Sequence, residues 1–76
     1  MSAKKKARSR DITLHLSRKG FAKKLRSLAD AVETGRPFRV TLGGERIVIP
    51  ADAVFSIEHE RGKAEEEIEF QLAWKR

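Results

Sequence analysis

Arg18, Lys19, Lys23, Lys24 and Arg26 fall within nine consecutive residues. On a helix, Lys19, Lys23 and Arg26 lie four and three apart and share one face. Cations in that pattern attract phosphate or carboxylate, and the free backbone N–H groups of a helix start at Lys19, Gly20 and Phe21 would join them. Asp30 and Glu33 follow in the second half of the same segment. This order is the reverse of what the helix dipole favours, at a few tenths of a kcal/mol per exposed charge. Two explanations stand: the basic half exists to meet an anion, or these are solvated positions with Arg26 and Asp30 as an i, i+4 pair.

A second basic run, Lys4, Lys5, Lys6, Arg8 and Arg10, occupies residues 1–10 without an acid. With nothing sizeable to bury, this run cannot offset its ordering entropy and reads as a flexible arm. Such an arm either tracks phosphates or keeps the chain soluble. Residues 1–46 hold 13 basic and 4 acidic groups, whereas residues 47–76 hold 4 and 7. That asymmetry favours an oriented encounter with a polyanion or head-to-tail contact between copies.

Other chemistries find little support. Ser9, Ser17, Ser27 and Ser56 accompany His15 and His59, but no nucleophile elbow surrounds any of them. The histidines form no His-x-x-x-His pair, and a metal site would need Glu58, Glu60 or Asp52 to converge on them. Glu65, Glu66, Glu67 and Glu69 lack the alternate-position spacing and glycine turn of a calcium loop, and read as a solvated face that guards a sheet edge. There is no cysteine among the 76 residues, which removes disulfides, thiolate catalysis and cysteine-type zinc sites. We therefore expect no enzyme, no cofactor and no metal.

Positioning these groups falls to elements legible from periodicity. Ile12, Leu14 and Leu16 alternate with Thr13, His15 and Ser17, which predicts a strand. Ser17 is a natural N-cap, and Phe21, Leu25, Leu28, Ala29 and Val32 line one face of a helix over residues 18–34. Gly35 and Pro37 mark its end. Phe38, Val40 and Leu42 begin a second strand, and Gly43-Gly44 supplies the positive φ angles of a tight hairpin leading to Ile47, Ile49 and the stop at Pro50. Phe55, Ile57 and His59 alternate in a fourth strand, and Arg61-Gly62-Lys63 makes a turn. A fifth strand over residues 67–75 sets Glu67, Glu69 and Gln71 against Ile68, Phe70, Leu72 and Trp74. Trp74 is in phase with the apolar face, as a core or core-edge residue or as an exposed contact.

The order strand, helix, four strands predicts an α+β fold: an antiparallel sheet of about five strands with one helix packed on one face. Residues 11–76 would form a single domain behind the arm. The strands' outward positions are mixed to acidic without an aromatic, which disfavours base stacking on the sheet. An open sheet of this size has two edges and a thin core, so a homodimer is expected over a monomer.

The amphipathic run Glu67-Ile68-Glu69-Phe70-Gln71-Leu72-Ala73-Trp74-Lys75 resembles the signature of the amphi-Trp domain family. Ser17-Arg18 opening a helix, the spacing of Ala22, Leu25, Leu28 and Ala29 before Gly35, and the Gly43-Gly44 hairpin running to Pro50 also resemble its layout, over about residues 10–75. The resemblance implies a compact stand-alone domain without an established catalytic activity.

Two functions follow as expectations. The first is a non-catalytic module binding an anionic partner, the nucleic-acid phosphate backbone, without sequence preference, through Lys4, Lys5, Lys6, Arg8, Arg10, Arg18, Lys19, Lys23, Lys24 and Arg26; no base-reading motif is visible. The second is a protein-interaction or self-assembly module using a free sheet edge or the Trp74 end. No apolar stretch is long enough to span a bilayer or form a secretory signal, so we expect no membrane partner and a cytoplasmic location.

Overall fold

The computed structural model describes residues 10–76. Lys4, Lys5, Lys6, Arg8 and Ser9, and with them all of the expected arm except Arg10, lie outside the described residues. The element order is α1 (Arg18–Glu33), β1 (Phe38–Leu42), β2 (Glu45–Ile49), β3 (Val54–Arg61) and β4 (Glu66–Ala73). The described residues divide into two compact units, one of Ile12–Asp52 and one that holds Ala53–Arg76.

Within the first unit, Ser17 in extended conformation caps α1, its Oγ accepting from the Gly20 N–H at 3.1 Å. The helix ends in a full Schellman turn. Gly35, at φ +70°, donates its N–H to the Val32 carbonyl, and Arg36 donates to that of Ala31. Glycine takes this left-handed conformation without steric penalty, which is why the helix stops where it does. β1 and β2 form an antiparallel hairpin with Phe38 opposite Ile49 and Leu42 opposite Glu45. Gly43 and Gly44 turn it at φ +56° and +80°, the paired positive angles of a type I′ turn. A Cβ at Gly44 would meet nothing within 4 Å, so a substitution there is penalised only through the backbone. Gly44→Val is expected to lower stability by roughly 1–2 kcal/mol, and Gly44→Asn by much less; a urea melt of the two variants checks this.

The expected first strand does not form. Residues 11–16 belong to no strand, and their backbone makes no hydrogen bond to the backbone of another described residue. The side chains nevertheless follow the alternation: Ile12, Leu14 and Leu16 line an open apolar groove of about 250 Å³ with Phe21, Leu25 and Leu28 of α1 and Phe38, Val40 and Leu42 of β1. Periodicity reports which side of a chain is apolar, and pairing additionally requires a neighbouring strand edge to accept its hydrogen bonds.

In the second unit, β3 and β4 pair antiparallel, with Phe55 opposite Leu72, Ile57 opposite Phe70 and His59 opposite Ile68. The connection is closed by Gly62 N–H donating to the Glu65 carbonyl at 2.8 Å. The intervening positions put Ser56 opposite Gln71, Glu58 opposite Glu69 and Glu60 opposite Glu67 on the other face. This polar face is laced together: Ser56 Oγ donates to Gln71 Oε1, and Gln71 Nε2 donates to Glu58 and Glu69, both at 2.9 Å.

The fold is thus α+β, but the described residues form four strands in two separate two-stranded sheets in place of a single sheet of about five. The burial expected of the apolar positions is also corrected. Among the described residues only Ala31, Ile49 and Ala53 are buried apolar side chains. The aromatic-bearing face of β3–β4, expected to turn inward, is exposed, with Phe55 at 50% and Phe70 at 63%. A two-stranded sheet has no second layer of its own with which to cover a face.

Candidate functional site

The basic half of α1 is the most coherent charged surface among the described residues. Arg18, Lys19, Lys23, Lys24 and Arg26 are all exposed, and none has a salt bridge to another described residue. At about 100° per residue, Lys19, Lys23, Arg26 and Asp30 cluster within an arc of about 60°, roughly 160° from the stripe of Phe21, Leu25, Leu28 and Val32. Packing through the stripe therefore leaves the cations facing outward. Lys24 stands apart from them, on the wall of the apolar groove. Arg10 is exposed and precedes all the described elements.

Two local expectations change. Asp30 does not pair with Arg26: its Oδ2 accepts from Arg36 Nη2 at 2.5 Å, while Arg36 Nε donates to Thr34 Oγ1 at 2.7 Å. The Schellman turn brings Arg36 back over the last helical turn, where Asp30 is its nearest acid. The signal was present in the sequence, since Gly35 just past the helix makes residue 36 the one that folds back. As a result the acid nearest Lys19, Lys23 and Arg26 along the helix is already occupied. The helix start, by contrast, offers less than expected. Two of its three candidate donors are taken, Gly20 N–H by Ser17 Oγ and Phe21 N–H by the Ser17 carbonyl. Anion attraction there rests on side chains, with no acid in the first turn to oppose it.

A second cluster was not singled out from the sequence. Glu66 Oε2 bonds His59 Nε2 at 2.8 Å and accepts from Arg61 Nη2 at 2.7 Å and Nε at 3.0 Å. The register produces it, with Arg61 opposite Glu66 and His59 one pair further along the same face. The Arg61 guanidinium first, and then His59, hold the Glu66 carboxyl below the usual 4.5. A depressed folded-state value means these bonds favour the fold above about pH 4.5 and that this contribution is lost as pH falls through the folded value. Glu66→Gln is expected to flatten the fall in thermal midpoint between about pH 6 and about pH 3, which a pH series of melts on both proteins measures.

No group of three His, Cys, Asp or Glu side chains among the described residues is placed to hold a metal ion. The hydroxyls of Ser17 and Ser56 are committed to Gly20 and Gln71, neither to a histidine. His15 is exposed. No described helix is long and apolar enough to cross a membrane.

The order α1, two-glycine hairpin, and amphipathic strand leading into Trp74 is matched from end to end by one family description, the amphi-Trp domain, over residues 5–76. The chain belongs to the amphi-Trp domain family. No curated protein matches it, and no solved structure does. In this amphi-Trp domain the tryptophan itself lies just beyond β4, in phase with Phe70 and Leu72 and 37% exposed, at the rim of the apolar face.

Proposed function

We propose that this amphi-Trp domain is a non-catalytic module that binds the phosphate backbone of nucleic acid without sequence preference. The observation that carries the reading is the cationic arc of Lys19, Lys23 and Arg26, whose nearest acid along the helix, Asp30, is held by Arg36. From Lys19 to Arg26 the helix rises about 10 Å, enough to follow roughly three phosphates at 3.4 Å of axis per strand. A formal net charge of +6 adds long-range attraction to any polyanion. Arg18 and Lys24 add to the charge of α1, and Lys4, Lys5, Lys6, Arg8 and Arg10 add five more cations to the chain. No base-reading element accompanies it, so affinity should depend steeply on salt and weakly on sequence. Titration of labelled single-stranded and duplex DNA and RNA, at low and at physiological salt, tests this. Absence of binding to all of them at physiological salt would refute it.

A further inference from the structure

A second surface is independent of that reading. The face of β3–β4 that carries Phe55, Ile57, Ile68, Phe70 and Trp74 leaves these side chains 37–66% exposed. If a fully buried aromatic covers about 150–250 Å² and the isoleucines somewhat less, the exposed parts sum to roughly 500 Å². A monomer rarely shows a contiguous apolar patch of this size unless something docks on it. A two-stranded hairpin is at best marginal until its apolar face is covered.

We propose that the occupant is the same face of a second copy, giving a twofold dimer in which two β3–β4 hairpins pack face to face as the layers of a small sandwich. Two such faces would remove roughly 1,000 Å² from water, the threshold for a specific interface. The face is electrically suited to meet itself. Its charged groups are confined to the turn end, where Arg61, Glu66 and His59 are bonded to one another, while Glu58, Glu60, Glu67 and Glu69 belong to the opposite face. An apolar centre with a self-neutralised polar rim is the anatomy of a protein interface. Single-stranded nucleic acid stacking on Phe55, Phe70 and Trp74 is the competing occupant. It is disfavoured because the face's one arginine is tied to Glu66 and the hairpin's other face is acidic.

The absence of cysteine permits a clean test on the full chain. Sedimentation over a wide concentration range should give twice the chain mass, and Ile57→Asp should weaken association at least about a hundredfold, since two buried aliphatic side chains are lost per dimer. Ile57→Cys should be joined to its copy by a thiol cross-linker spanning about 10 Å, the distance between packed sheets, whereas Ser56→Cys on the polar face should not. The cysteine pair decides the matter even if Ile57→Asp fails to fold. A wild-type monomer at all concentrations, an Ile57→Asp variant that dimerises as well as the parent, or cross-linking through Ser56→Cys in preference to Ile57→Cys would each overturn the proposal. So would protection of Ile57→Cys from thiol labelling only when single-stranded nucleic acid is added.

Discussion

Replacing Lys19, Lys23 and Arg26 together by Glu is expected to abolish nucleic-acid binding at physiological salt and, at low salt, to reduce the slope of log K against log[salt] by about 3. Each phosphate contact releases close to one counterion from a duplex, so three lost contacts remove about that much of the slope. The substitution also takes the formal net charge from +6 to zero, eliminating long-range attraction along with the contacts. The fold should not suffer. Lys19→Glu places an acid in a first helical turn that has none, which the helix dipole favours by a few tenths of a kcal/mol. Opposing this, Arg26→Glu stands four residues before Asp30, a repulsion of similar size that the Arg36 bond to Asp30 moderates. A variant with an unchanged thermal midpoint and no binding would locate the function on the arc. Unchanged binding would remove α1 from the interface. Deleting residues 1–10 then measures the remaining slope that Lys4, Lys5, Lys6, Arg8 and Arg10 supply.

The largest effect on stability is expected at Ile49. Among the described residues it is the only large side chain of the three that are buried and apolar, 9% exposed and opposite Phe38 across the β1–β2 ladder. Ile49→Ala should lower stability by roughly 2–5 kcal/mol, combining the lost transfer energy with the cavity left behind. At the usual 0.05–0.15 kcal/mol per residue, a chain of this length holds only about 4–11 kcal/mol, so the variant should approach or pass the point of unfolding. Its neighbour Val48 points to the other side and is 47% exposed. Val48→Thr keeps the β-branch and should stay within about 0.5 kcal/mol of the parent. Urea denaturation of the three proteins with a common m-value gives both differences directly. Equal loss at both positions would show that burial does not set stability in this hairpin.

Local structure was largely legible from the residues themselves. Ser17 and Gly35 bracket a helix because one supplies a side-chain acceptor to a free N–H and the other tolerates a left-handed turn. Gly43-Gly44 dictates a hairpin for a similar reason. The alternation from Glu67 onward sorts Ile68, Phe70 and Leu72 from their acidic neighbours, as the β3–β4 register confirms. The cationic half of the helix, too, is visible as spacing alone. In each case the interaction spans only a few residues, so neighbours along the chain decide it.

What required the tertiary structure were the partners of each element. Residues 11–16 alternate as a strand would, yet a strand exists only where a second edge accepts its hydrogen bonds, and none among the described residues does so. The division into two two-stranded sheets, the exposure of an apolar face that alternation alone assigns to a core, and the meeting of His59, Arg61 and Glu66 all depend on register and pairing between segments. Asp30 shows the boundary most clearly: by spacing it belongs to Arg26, but the backward turn at Gly35 delivers Arg36 to it. Period and charge are properties of one segment and can be read from it. Pairing is a competition among segments, settled by geometry in three dimensions.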